Sequence, residues 1–467
     1  MYENHKKYVN FINRYKKAIN ASTGSEYDSN ANVENKNIAT LSGELYKSDT
    51  IKINRLLMYE KLTDLYGEEL AQTYLDELNA HIIYKHDETS IMPYCVSITM
   101  YPFLFEGLKN IGGISDAPTN LEAYCGSFVN LVFAIASQFA GAVSTPEFLL
   151  YLDYFIRKDY GDDYYLAPDK VVRIINNPEK STLQSVIEDK FQQMVYSINQ
   201  PAAARSYQSV FWNIAYFDKP YFDGMFGEFV FPDGTEPKWE SVSWLQKTFM
   251  KWFNNERTKK LLTFPVETLN LLNDGKDFVD KEWFEFGSRM YAEGHSFFTY
   301  TSDSVDSLSS CCRLKNELQD NTFSFTLGAG GVSTGSKGVI TMNINRIVQD
   351  AVKSRKDISE AVREETKRIH KYLTAFNEII KDNYNSKLLP VYDAGYISLD
   401  KQYLTIGING FVEGAEFLGI EISPNEEYFA YGEEILKPIY EENKASKTKE
   451  IMFNTEFVPK QCGHKMV

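Results

Sequence analysis

From Thr50 onward, apolar residues return at helical intervals. Leu56, Leu57, Leu62 and Leu65, then Leu70, Tyr74, Leu75 and Leu78, form stripes of the kind that places side chains on one helix face. Upstream, Lys6 to Ile19 reads as a short helix, followed by a loop at residues 21–27 and an irregular arm at 30–35. Residues 81–87 read as a strand or turn, and Met92 to Ile98 as a short β run. Phe128 to Ala142 is apolar on nearly every side apart from Asn130, Ser137 and Gln138, which predicts a helix buried all round. Residues 145–200 predict further helices. Ser206 to Phe217 and Lys260 to Thr268 alternate or run apolar and aromatic, as core strands do. Gly338 to Ile347 predicts a strong strand, Ile358 to Asn383 a long amphipathic helix, and Leu404 to Gly410 a strand ending at glycine. Strands alternating with helices over this length predict an α/β architecture.

Composition narrows the partners. The 467 residues are 43% hydrophobic and 24% charged, the balance of a globular chain with one large core or two ordinary ones. A formal net charge of −15 argues against nucleic acid or an anionic membrane surface as partner. It leaves room for a phosphorylated small molecule, because phosphate sites are built locally from helix N-termini and backbone amides. No apolar run reaches the ~18 residues of a membrane span, and Met1 to Lys7 lacks an apolar signal core. The expectation is a cytoplasmic protein. The five cysteines, Cys95, Cys125, Cys311, Cys312 and Cys462, are odd in number and form no CxxC pair. That suggests neither a disulfide framework nor a structural zinc site within these residues.

The chemistry concentrates at Ser309-Ser310-Cys311-Cys312-Arg313-Leu314 and the glycine-rich stretch Gly328 to Gly338. Adjacent cysteines bridge each other only with a strained backbone. Buried small hydrophobes are the common fate of free cysteine. Between small polar residues, and followed by a backbone dense in glycine, the pair reads instead as reactive thiols on a loop.

These residues resemble the anaerobic (class III) ribonucleoside-triphosphate reductases, glycyl-radical enzymes that make deoxyribonucleotides. The resemblance rests on Cys311-Cys312-Arg313, the loop ending Thr334-Gly335-Ser336, and Gly338 to Ile347. In the family's order it also takes in Asn30 to Val33, Ala80-His81 with His86-Asp87, Pro93-Tyr94-Cys95, Gly126 to Val129 and Ser137 to Ala142. Thr263 to Thr268, Gly407 to Glu413 and Asn454 to Pro459 complete the series. It implies a ten-stranded α/β barrel of the glycyl-radical enzyme and ribonucleotide reductase type, with a catalytic-cysteine finger loop. An N-terminal arm would occupy residues 1–48 and the barrel residues 49–467. It further implies Cys312 as the thiyl position, preceding Arg313 as in the family motif, and Cys95 as the strand cysteine delivering a hydrogen atom towards the ribose 2′ position. Cys311, beside Cys312, is a further catalytic candidate or else lines the loop alone, and Cys125 and Cys462 are read as structural. The family commonly uses formate, with an Asn just before the Gly-Val-Val strand. Gly335 and Ser336 stand nearest to that place here, which admits a thioredoxin-type dithiol as reductant instead. Ser336 could hydrogen-bond the ribose hydroxyls or serve the loop alone.

Two departures from the family shape the reading. Only about thirty residues precede the Asn30 motif, too few for the family's ATP-cone. The four-cysteine zinc site and the Arg-x-x-Gly-Tyr radical loop that follow the Asn454 to Pro459 motif in the family do not occur in these residues. The expected partners are therefore a C-terminal fragment carrying the radical glycine, a radical-SAM activating enzyme, ribonucleoside triphosphates, and dNTP or ATP effectors acting on a homodimer. The alternatives are a non-catalytic nucleotide-binding remnant, or a relative of pyruvate formate-lyase. For the triphosphate, helix N-termini at Gly126-Ser127 or at Ala202 to Ser206 are candidates. Simple capping is the commoner use of serine at such a position.

Overall fold

The computed structural model describes residues 5–25, 36–174, 177–201, 209–305, 307–310, 314–317 and 333–457. The chain forms two compact units, each gathered from three separate stretches. One takes Met1–Leu45, Val96–Thr334 and Pro390–Ile397, and the other Tyr46–Cys95, Gly335–Leu389 and Ser398–Val467.

The first unit repeats strand, helix, strand. Cys95–Ser97, Val143–Ser144, Trp212–Phe217, Val266–Leu272 and Phe298–Ser302 lie side by side in chain order, every neighbouring pair parallel. Parallel neighbours need long crossovers, here supplied by the helices Leu121–Ala136, Phe148–Tyr160, Leu183–Asn199, Trp239–Lys259 and Lys281–Ala292. Trp212–Phe217 is buried at every position, as a strand covered on both faces must be. Aromatic rings fill the space beneath the helices. The Phe148 ring stacks on Phe128 at 4.7 Å and meets Trp212 edge-on at 5.1 Å. Each such buried ring contributes about 2–3 kcal/mol. Near the N-terminus lie the helices Lys6–Lys17, Ala21–Gly24 and Ile38–Leu45, where Phe11, Tyr15 and Ala21 form a small core with Leu41 and Leu45.

In the second unit, Ile83–Lys85 pairs antiparallel with Thr334–Asn343, which runs parallel to Gln402–Asn409 and through it to Met452–Phe457. Thr334–Asn343 is buried along its whole length. The helices Ile358–Asn385 and Glu426–Ala445 cover one face of these strands: Phe376 meets Gly338, His370 lies 3.9 Å from Phe453, and Asn443 Nδ2 donates to Thr455 Oγ1 at 2.7 Å. The main sheet strands of the two units number nine among the described residues, against the ten expected.

Three local expectations need correction. The strand expected through Ile347 stops at Asn343, whose side chain accepts the Arg346 N–H at 3.3 Å and so starts the helix Ile344–Ser354. The helix expected over 128–142 spans Leu121–Ala136, with Asn120 accepting from the Ala123 N–H at 2.9 Å as its cap. That helix is not buried all round, since Glu122, Gly126 and Asn130 form an exposed stripe at four-residue spacing. No helix among the described residues is long and apolar enough to cross a membrane.

Candidate active site

Cys95 begins a three-residue strand and is fully buried. Its backbone is pinned inside the second unit. Gln402 Nε2 donates to the Cys95 carbonyl at 3.1 Å, and the Tyr94 N–H donates to the Lys337 carbonyl at 3.0 Å. Lys337 is the extra residue of a β-bulge, for the register with Gln402–Asn409 shifts between Ser336 and Gly338. Bulges re-aim side chains and concentrate beside active sites. Here Lys337 Nζ donates to the Leu399 carbonyl at 3.1 Å, and burial pulls its pKa down to about 8.

Strand alternation assigns the other side chains. Gly338, Phe453 and Thr455 face the helices, so Ser336, Thr405 and Asn454 face the opposite side of the sheet. A row of hydrogen bonds joins them across three strands. Ser336 Oγ lies 2.8 Å from Thr405 Oγ1, and Thr405 Oγ1 donates to Asn454 Oδ1 at 2.7 Å. The Ser336 hydroxyl also donates to the Gly338 carbonyl at 3.1 Å. On the neighbouring pair of strands, His86 Nε2 lies 2.8 Å from Thr341 Oγ1, with its ring edge-on to Tyr84 and Tyr94. Burial, and then the Lys85 charge, lower the His86 pKa to about 4, so the imidazole is neutral at pH 7. Lys85 is buried with Nζ 4.1 Å over the Phe376 ring, and burial lowers its pKa.

In the first unit, Glu147 closes the segment that follows Cys95–Ser97. Its carboxylate accepts from the Met100 N–H at 2.7 Å and from Thr99 Oγ1 at 3.2 Å. Complete burial raises its pKa to about 7 against those hydrogen bonds. Nearby in sequence, Cys125 lies in the helix Leu121–Ala136, where burial pushes its thiol up to about 12. A thiol that stays protonated is a poor nucleophile.

The sequence-predicted residues divide into three groups. Cys95 and Ser336 both lie in the second unit, in one hydrogen-bonded neighbourhood. Gly126 and Ser127 lie in the second turn of the helix Leu121–Ala136. They are not at its N-terminus, so the expected phosphate cradle is absent there: the unbonded N–H groups of a helix belong to its first turn. Cys311, Cys312, Arg313, Ser206 and Cys462 lie outside the described residues. The strands flanking the cysteine pair, Ser307–Ser310 and Leu314–Glu317, are antiparallel partners with Ser310 opposite Leu314. Ser307–Ser310 packs against Trp212–Phe217, Val266–Leu272 and Phe298–Ser302. Sequence reasoning did not single out Thr405, Asn454, His86 or Glu147 as site residues. For Asn454 a signal was present, a polar residue between Phe453 and Thr455 in a strand.

Comparison with protein families gives a match to the anaerobic ribonucleoside-triphosphate reductase model over residues 44–462. This chain belongs to that family. It is accordingly an oxidoreductase acting on ribonucleoside triphosphates, with the α/β barrel fold class that the family shares. Among solved structures, it resembles the anaerobic ribonucleotide reductase of Thermotoga maritima with citrate in the active site at 29% identity and a TM-score of 0.78. The match covers 92% of this chain and 75% of that one. The Thermotoga maritima enzyme in complex with dATP and CTP matches at 29% identity and a TM-score of 0.77, covering 90% and 68%. Another anaerobic ribonucleotide reductase matches at 28% identity and 0.79, covering 97% and 68%. A search of the curated proteins found no match.

Proposed function

We propose that the chain carries the substrate-reducing centre of its family, with Cys312 as the thiyl residue and Cys95 as the hydrogen donor. The observation that supports this most directly is Cys95 itself, fully buried and held through its carbonyl by Gln402. A glycyl radical supplies the hydrogen-atom acceptor that turns the Cys312 thiol into a thiyl. It resides on a segment beyond these residues, whether joined to them or on a second polypeptide, and a radical-SAM activase installs it. Cys312 then takes the 3′ hydrogen of the ribose, and the 2′-hydroxyl leaves with a proton as water. Cys95 gives a hydrogen atom to C2′, and Cys312 returns one to C3′. The two electrons come from formate, which leaves as carbon dioxide and gives one proton while solvent gives the other, or from a thioredoxin-type dithiol, which gives both protons and leaves as a disulfide. Cys311 lines the loop beside Cys312, and Ser336 faces the site from its own row of hydrogen bonds. ATP and dNTPs act as effectors on a homodimer.

The test is anaerobic. The chain is mixed with the radical-glycine segment encoded with or after it, activase, S-adenosylmethionine, reductant and CTP, and followed for a glycyl EPR doublet and dCTP. Product that requires both parts and disappears in Cys312→Ala and Cys95→Ala is expected, with the doublet retained in both variants. A chain that binds CTP but gives no radical or product with any such segment would instead be a nucleotide-binding remnant.

A further inference from the structure

The strand that begins at Cys95 is three residues long, and a strand so short takes its register from the groups that pair with it and end it. Backbone partners meet most of the run. The Val96 N–H donates to the Ala142 carbonyl at 3.0 Å, the Ile98 N–H to the Ser144 carbonyl at 3.1 Å, and the Thr99 N–H to the Tyr396 carbonyl at 3.1 Å. The Met100 N–H is met by a side chain instead, Glu147 Oε2 at 2.7 Å. The same carboxyl takes the Thr99 hydroxyl at 3.2 Å, and Thr99 Oγ1 in turn accepts the Tyr101 N–H at 3.3 Å. One side chain thus gathers the turn by which the chain leaves the Cys95 strand.

A carboxyl is a costly acceptor at that place. Glu147 is completely buried. No cation pairs with it among the described residues, and its ionisable neighbours are the buried phenols of Tyr124 and Tyr151. Buried ionisable groups without a counter-ion are expensive to keep and concentrate at functional sites. With the pKa raised to about 7 by burial, both protonation states occur near neutral pH. In either state an oxygen remains to accept the Met100 N–H, as the amide of glutamine would also provide.

We propose that Glu147 is a positioning residue for Cys95: by holding the Met100 N–H and the Thr99 hydroxyl, it fixes the end of the strand on which the thiol is mounted. This rests on the reductase reading, which makes Cys95 the hydrogen donor.

The test uses the whole chain, the melting temperature of every variant and two readouts. The first, alkylation by iodoacetamide located by mass spectrometry, needs no catalysis. Glu147→Ala should speed alkylation of Cys95 about tenfold, the effect of one lost hydrogen bond on a local opening. Cys125, equally buried in the helix Leu121–Ala136, should keep its wild-type rate. Glu147→Gln preserves the acceptor and should leave both cysteines as in wild type. The second readout is dCTP formation with the radical-glycine segment, activase, S-adenosylmethionine and reductant. Misplacing a reacting group lowers the chemical step, so kcat should fall about tenfold or more in Glu147→Ala with KM for CTP unchanged, and Glu147→Gln should recover most of it. Should Glu147→Ala fail to fold, Thr99→Val removes one of the two bonds and carries the same comparison. Wild-type alkylation of Cys95 in a folded Glu147→Ala overturns the assignment. Equal acceleration at Cys95 and Cys125 does so too, since it marks general loosening, as does an unchanged kcat. A wild type that makes no dCTP sinks the reductase reading, while alkylation still decides whether Glu147 holds Cys95 in place.

Discussion

At the residue scale, the second unit holds ionisable groups in states that water would not choose. His86 is neutral because burial lowers its pKa from 6.5 to about 4. The folded state therefore binds fewer protons than the unfolded chain between those values, and stability should rise with pH across that window. The full effect is roughly 3 kcal/mol. Chemical denaturation at pH 4.5 and 7 should show wild type losing most of this at the acid end, and His86→Gln losing much less. Glu147 runs the other way. With its pKa raised to about 7, the folded state holds a proton that the unfolded state gives up, so its contribution declines as pH rises from about 4.5 to 7. Glu147→Gln should therefore gain stability relative to wild type on going from pH 5 to 8, by roughly 1–3 kcal/mol. A flat difference across that range would show the carboxyl to be ionised at both ends. Neither residue could be picked out from sequence, because both states are set by burial and by neighbours far along the chain.

At the scale of elements, the contacts between strands and helices are tight where glycine permits them. A Cβ on Gly338 would sit 2.6 Å from Phe376 Cδ1, so Gly338→Ala should cost about 1–3 kcal/mol by overpacking. Phe376→Leu should recover part of that loss in the double variant, measured by urea denaturation. The helices Glu68–Asn79 and Ile358–Asn385 are joined by Arg368, whose Nε donates to Glu77 Oε1 at 2.7 Å and whose Nη2 pairs with Glu365. Burial and the neighbouring Glu77 raise the Glu365 pKa. Arg368→Met leaves two buried carboxyls without their cation. It should cost about 2–4 kcal/mol, more at pH 8 than at pH 5, where protonation relieves the pair. Long amphipathic helices such as Ile358–Asn385 were legible almost to their ends, because eight turns of periodicity outweigh any local ambiguity. Cys95–Ser97 was legible only as a short β run, and Val143–Ser144 lay hidden inside a longer apolar stretch. Two or three residues carry no period, and pairing with neighbours decides their state.

At the scale of the whole molecule, the order of motifs was the most legible feature of all, and those from Ala80 to Pro459 fall within the family match over residues 44–462. The division into two interleaved units was not legible, since both share the same alternation of strand and helix. One consequence is that Pro390–Ile397, eight residues amid stretches of the second unit, completes the first. There the Thr99 N–H donates to the Tyr396 carbonyl at 3.1 Å, Tyr396 Oη donates to the Gly107 carbonyl at 3.2 Å, and the Val391 N–H donates to Gln138 Oε1 at 3.0 Å. Tyr396→Ala should therefore lower stability by about 3–5 kcal/mol, with hydrogen exchange faster around Gly107 and Thr99.

The pairing of Ile83–Lys85 with Thr334–Asn343 joins residues such as His86 and Thr341, which stand 255 positions apart. During synthesis at about 5–20 residues per second, the earlier strand waits roughly 10–50 s for its partner to leave the ribosome. Throughout that interval an apolar strand edge, with Cys95 a few residues beyond it, has nothing native to pair with. Unpaired edges of this kind are where a growing chain is open to aggregation.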